Sequence, residues 1–270
     1  MDLAGTFAAI QPLGHTIIAL DAPITDEPDA LAWKNYLDLV SGSIEQKDAI
    51  LIVPFVDVDA ATAFAAYAET KTSYRTVAAC FHGSTQMAAV SASVAAVIAQ
   101  NPDPAVPYDD LPLPGLLPVT QDKVLSATRI EAALRAGVAI IANGEDGNPK
   151  VVRLVTTYQQ TSTGETDDLM IDVNAPMIVA YTRKYIRSLL KSRPRQKNTT
   201  RVRKNNRTLI YTGLLKLDKA EILQNVKARA GELTVTQNAT NRSEADYAIP
   251  TDIVPGLHIN AATLNVYSGL

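Results

Sequence analysis

Through the first hundred positions, apolar residues come in short, sharply bounded blocks of two kinds. HTIIAL at 15–20, AILIV at 49–53 and TVAACF at 76–81 are continuous apolar runs of strand length, the pattern of strands buried on both faces. Pro54 closes the second of them. Between the runs, 27–40 places Leu31, Leu37, Leu39 and Val40 on one side of a helix, and 59–70 reads as a second helix with Asp57 or Asp59 as its N-cap. A long Ala/Val helix follows over 84–100, stopped by Asn101-Pro102. Strands alternating with helices predict an α/β domain: a layered, mainly parallel sheet with flanking helices. Six prolines between 102 and 118 make 101–121 an extended, ordered strap rather than a linker between independent domains.

The stretch 128–160 carries the sharpest local signals. Ile130, Ala133 and Leu134 recur at helical spacing, and Gly137 stands where a helix end requires left-handed backbone. Val138–Ala142 is a short buried strand, Asn143–Asn148 is turn chemistry, and 151–157 is a second β-rich run. No catalytic residue type sits at the turn, so the block is read as one that builds and displays a surface. Further on, 161–168 is a polar loop and 174–191 a helix ended by Pro194. Residues 208–212 read as a short strand, 217–229 as an amphipathic helix stopped by Gly231, and 232–237 and 257–266 as strands.

Pro107-Tyr108, Leu113-Pro114-Gly115-Leu116, Thr128-Arg129, Gly137-Val138, Val151-Val152-Arg153 and Val155-Thr156-Thr157-Tyr158-Gln159 occur in this order. In order, spacing and character they resemble the tail sheath proteins of contractile-tailed phages, in particular the Mu-like kind, and more distantly the sheaths of R-type pyocins. The resemblance covers roughly residues 14–270, most strongly 105–195. It implies a non-enzymatic virion subunit without cofactor, assembled in the bacterial host cytoplasm into hexameric rings that stack helically around a tail tube. Contraction then drives the tube through the host envelope. The implied partners are neighbouring sheath subunits, the tail tube protein, and baseplate and tail terminator proteins. It also implies a division into a core domain over 1–165 and a C-terminal α+β domain over 166–270. The latter ends in an extended strand arm, 250–270, which pairs with a sheet of a neighbouring subunit through Leu257, Ile259, Leu264 and Val266. Family members usually carry a long segment ahead of the point where this chain begins. Met1 here falls a few residues before the first expected core strand, so the chain is a minimal sheath, a fragment or one part of a split protein.

Composition changes the picture mainly through charge. The formal net charge of −3 conceals segregation: residues 1–182 hold 9 basic and 22 acidic side chains, and 183–207 hold 11 basic and none acidic. The eleven are Arg183, Lys184, Arg187, Lys191, Arg193, Arg195, Lys197, Arg201, Arg203, Lys204 and Arg207. Such a block seeks a negative partner, and the plainer alternative is a solvated helix face with a mobile loop over 192–207. Tyr181, Tyr185 and Tyr211 make base stacking conceivable, but the acidic first 182 residues oppose approach to nucleic acid. In the sheath reading the block faces the tube or a neighbouring subunit. The single Cys80 cannot form an internal disulfide, which fits a reducing cytoplasm, and no apolar run reaches the length of a membrane span.

Catalytic constellations are weak throughout. His82-Gly83-Ser84-Thr85 lies at a strand-to-helix turn without a G-x-S-x-G elbow or a P-loop lysine, and Ser84 reads as a helix N-cap. Asp57 and Asp59 follow a strand, where capping is the simpler role than metal binding. His15, His82 and His258 lie far apart without ligand spacing, and Cys80 reads as a small core residue. The competing function class is an α/β enzyme or small-ligand binder with a site near 54–59 and 81–84.

Overall fold

The computed structural model describes residues 3–258. Five strands, β1 (Ile17–Ala19), β2 (Ile50–Phe55), β3 (Thr76–Cys80), β4 (Val138–Asn143) and β5 (Pro149–Arg153), form one sheet in the order β1-β2-β3-β4-β5. The first four are parallel and β5 returns antiparallel to β4. Side chains alternate across the sheet. Leu51, Val53, Phe55, Ala78, Cys80, Val138 and Ile140 enter one buried cluster. Ile50, Ile52, Val77, Ala79, Phe81, Ala139 and Ile141 enter another on the opposite face. Burial on both faces is why these strands read as unbroken apolar runs.

Helices α1 (Leu3–Ile10), α2 (Glu27–Ser41), α3 (Val58–Ala65), α4 (Ala68–Lys71), α5 (Met87–Gln100) and α6 (Ala127–Arg135) complete the layers. The first cluster holds Trp33, Tyr36, Leu37 and Val40 of α2, Ala61 and Phe64 of α3, and Ala133 of α6. Phe7 of α1 stacks on Tyr36 with centroids 4.6 Å apart, so α1, which the sequence did not signal, seals an aromatic corner. The second cluster holds Val90, Val94, Val97 and Ile98 of α5. The single helix expected over 59–70 is two. The backbone leaves the helix at Tyr67, whose hydroxyl donates to the Thr25 carbonyl while the Ala68 amide donates to Glu27. Asp57 does cap α3, its Oδ1 accepting from the Asp59 amide at 2.7 Å. Ser84 does not cap α5: its Oγ accepts from the Gln86 amide in the turn before the helix.

The proline-rich strap is ordered and lies along the outer side of β5. The amides of Asp110 and Leu113 donate to the carbonyls of Val151 and Pro149, and the Val151 amide donates back to Leu111. Its own Tyr108, Leu113 and Leu116 are buried in the second cluster. Gly137, after α6, has φ 81°, and a Cβ there would meet the Thr157 backbone at 3.1 Å.

The Val155–Gln159 run does not extend β5 and is not displayed; it stitches elements together from within. Thr157 Oγ1 donates to the Thr70 carbonyl and its amide to the Thr76 carbonyl. Gln159 Nε2 donates to the Ala136 carbonyl, and Thr156 Oγ1 to that of Met170. Both threonines are fully buried.

Beyond it come α7 (Asn174–Lys191), α8 (Thr200–Lys219) and a two-stranded antiparallel hairpin of β6 (Thr234–Gln237) and β7 (Ala245–Ala248). The α7 bounds agree with the sequence reading. The strand expected at 208–212 is instead part of α8, which also orders 200–207, and the helix expected over 217–229 ends at Lys219. Positive φ at Glu221 and Asn225, both 57°, turns the chain there, so Ile222, Leu223 and Val226 reach a third apolar cluster from turns. The strand expected over 232–237 is β6; its partner β7 carried no sequence signal of sufficient length. Of the arm residues, Leu257 is 71% exposed, and Ile259, Leu264 and Val266 lie outside the described residues.

Candidate functional site

The helical pair and hairpin gather the cationic block at one end of the chain. On α7, Arg183 and Arg187 stand one turn apart, so both reach the same carboxylate. That carboxylate is Asp48, in the loop entering β2. Its Oδ1 accepts from Arg183 Nη1, and its Oδ2 lies 2.8 Å from Arg187 Nη1. Arg183 also donates to the Ser41 carbonyl and Arg187 to that of Gln46. Burial lowers the Arg183 guanidinium pKa, Asp48 opposes this, and Arg187 and Arg75 add repulsion. The sequence marked the arginines but not Asp48, whose importance arises only from tertiary placement.

Two more of the eleven cations hold local structure. Arg203 donates to the Asn198 carbonyl and side chain, bracing the turn into α8. Arg207 donates to the carbonyls of Leu233 and Ala230, fixing the entry to β6. Lys184, Lys191, Arg193, Arg195, Lys197, Arg201 and Lys204 are exposed, with no ion pair recorded for any of them among the described residues. Asn198 Nδ2 ties the connecting loop to the hairpin through the carbonyls of Arg242 and Glu244.

Between α7, the loop before β2 and the strand β7 lies a groove of about 610 Å³. It is lined by Val179, Ile186, Leu190, Arg183 and Arg187 of α7 and by Asp246, Tyr247 and Ile249 at β7. The hairpin beside it has no third strand among the described residues. It therefore keeps main-chain donors and acceptors available to an added strand.

The residues weighed for catalysis are engaged otherwise. Asp57 caps α3, Asp59 pairs with Arg129, and His82 Nδ1 accepts from the Val58 amide at 3.3 Å. The cavity beside Phe81 and His82 measures about 10 Å³, room for roughly one water. Cys80 is fully buried, and its thiol pKa is pushed up to about 12 by that burial, with Asp57 and Asp59 adding to it. His15, His82 and His258 are not brought together, and no group of three or more potential metal ligands occurs among the described residues. No described helix is long and apolar enough to cross a membrane.

No protein-family model matches the sequence, and no curated protein matches it either. Solved structures do. The sheath tail protein of Desulfitobacterium hafniense aligns over 92% of this chain and 58% of its own, with TM-score 0.64 and 14% identity. The sheath tail protein of Listeria innocua aligns over 92% of this chain and 56% of its own, with TM-score 0.68 and 12% identity. The anti-feeding prophage helical sheath in its contracted state aligns over 100% of this chain and 75% of its own, with TM-score 0.58 and 16% identity. The chain thus has the fold seen in contractile sheath proteins, and spans less than two thirds of the length of the first and second of these.

Proposed function

We propose that this chain is a structural subunit of a contractile sheath, not an enzyme. Many copies stack as helical rings around a tube and pass from an extended to a shorter, wider array. The observation that carries this reading is the likeness to a contracted helical sheath over the whole chain. Work in such an array comes from the difference in contact free energy between two packings of the same subunits, so no nucleotide is required. Open heterologous interfaces generate the filament. The hairpin, which has no third strand among the described residues, is the acceptor for a neighbour's strand arm, and the exposed cations between Lys184 and Lys204 face an acidic tube wall or the acidic region of a neighbour. Baseplate and terminator proteins bound the two ends of the array.

Electron microscopy of the purified protein, or of particles that contain it, tests the proposal. Regular tubes or striated tails are expected; compact monomers under every assembly condition would overturn it. Deleting 255–270 should leave a folded α/β layer that no longer polymerises. Reversing Arg193, Arg195, Arg201 and Lys204 to Glu should lower the yield and salt resistance of extended tails more than those of contracted ones. Each exposed pair is worth only about 0–1 kcal/mol, but the array repeats it in every subunit.

A further inference from the structure

We propose that Asn143 is a deamidation site which the fold holds in check, and that its conversion releases the end of the strap from the β4–β5 hairpin. Asn143-Gly144 is the single Asn-Gly step in the chain. It stands where β4 ends, with Asn143 opposite Pro149 of β5. The Asn143 carboxamide works as a piece of main chain: its Oδ1 accepts from the Val119 amide at 3.2 Å, and its Nδ2 donates to the Val119 carbonyl at 2.7 Å. Val119 packs against the second apolar cluster, so this pair ties the last part of the strap to the sheet. The Gly144 amide is engaged as well, donating to the Asn148 carbonyl at 2.8 Å, and the Gly144 carbonyl accepts from the Gly147 amide at 2.9 Å.

An Asn-Gly step cyclises readily because glycine has no Cβ to shield its nitrogen. The Gly144 nitrogen loses its proton to base and attacks Asn143 Cγ. The N–Cγ bond forms, the Cγ–Nδ2 bond breaks, and Nδ2 leaves as ammonia, taking a proton from water. Water then opens the resulting succinimide at one of its two C–N bonds, giving aspartate or isoaspartate at 143. Both partners of the first step are tied in the fold. The Gly144 N–H is turned to Asn148, and the carboxamide is held on both sides by Val119, so the ring closes only while the hairpin is open. The product cannot restore the tie. Either form replaces the Nδ2 donor by a carboxylate, which leaves the Val119 carbonyl without its donor. The new charge lies beside the exposed Glu145 and Asp146. Isoaspartate also adds a methylene to the main chain and breaks the Asn143–Pro149 register. A reversible opening thus becomes a one-way release, and the amount of product records the time the hairpin has spent open.

The experiment follows the full chain in mildly alkaline buffer, folded and in concentrated urea, by mass spectrometry of peptides covering 138–153. Conversion at Asn143 should proceed in the unfolded chain, with isoaspartate among the products, and should be about tenfold or more slower in the folded one, the scale of one local opening. Val119→Pro, which removes the donor to Oδ1, should bring the folded rate toward the unfolded rate. Asn143→Asp stands in for one product. It should lower hydrogen-exchange protection of the Val119 amide, read by NMR, by about tenfold or more, with the β2 amides unchanged as the reference for global folding. Equal conversion in folded and unfolded chains would overturn the restraint by the fold. An Asn143→Asp chain with full protection at Val119 would overturn the release. Neither readout needs assembly, so the inference stands or falls apart from the sheath proposal.

Discussion

Among the described residues, from Ile17 to Arg153 the sheet buries side chains on both faces, into apolar clusters of twenty and eighteen residues; from Asn174 onward the helical pair and hairpin share a cluster of nine. In the first region hydrophobic burial fixes each element from two sides. In the second, position depends on charge and amide contacts reaching outward: Arg183 and Arg187 to Asp48, and Asn174 to the carbonyls of Pro104 and Val106. The first is a folding unit in the usual sense. The second is thinner among the described residues, and its hairpin has no third strand there.

Cavity-forming substitutions should separate the regions most strongly. Ile52→Ala removes a fully buried side chain from the central layer and should cost about 3–4 kcal/mol of unfolding free energy, within the range for such deletions. Ile210→Ala in α8, equally buried, should cost about 2 kcal/mol, because a thin cluster collapses more readily around the void. Urea denaturation of both variants decides this; equal losses would erase the distinction. Next in size, Asp48→Asn leaves two guanidinia facing each other across a neutral amide and should cost about 1–3 kcal/mol, discounted for their partial exposure. Calorimetry should then resolve an earlier transition for the helical pair, and a single unsplit transition would show that Asp48 does not couple the regions.

How much was legible in the sequence divides along the same line. β1 to β4 and helices α2, α5, α6 and α7 each carry a complete local signature. The chemistry weighed at Asp57 was correctly read as capping. The errors sit where tertiary contacts decide. TRVRKNNR at 200–207 has no apolar stripe and looks like a loop, yet Ile210, Leu214 and Leu217 on one face carry the helix back through it. Leu217, Ile222, Leu223 and Val226 mimic helical spacing, but only Leu217 lies on α8; the other three are delivered by left-handed turns at Glu221 and Asn225. The end of the run read as a strand over 151–157 looked displayed because buried threonine hydroxyls, here Thr156 and Thr157, are indistinguishable in sequence from solvated ones. Nothing near Asp48 announces its partners, which lie far away along the chain.

The smallest effect concerns pH. Asp252 has its pKa lowered by hydrogen bonds from Asn225, Gln224 and Arg229, against the cost of burial. A carboxylate depressed in the folded state contributes stability above its unfolded pKa, about 3.9, and loses it as pH falls through the folded value. Acid should therefore loosen the turns at 222–231 before the sheet. Hydrogen exchange at about pH 3 should show faster exchange at the Gln224 amide than at β2, and Asp252→Asn should abolish the acid sensitivity of that turn.

The strap has a consequence for how the molecule meets copies of itself. A last strand such as β5, left bare, is a template on which any extended chain can grow, and a protein made at high local concentration would then be exposed to fibre formation. By lying along β5, the strap withdraws that template while leaving the β6–β7 hairpin unpaired among the described residues. The opposite edge, β1, is only three residues long and likewise has no second strand partner among the described residues, so the strap removes the longer of the two sheet edges on which disordered growth could start.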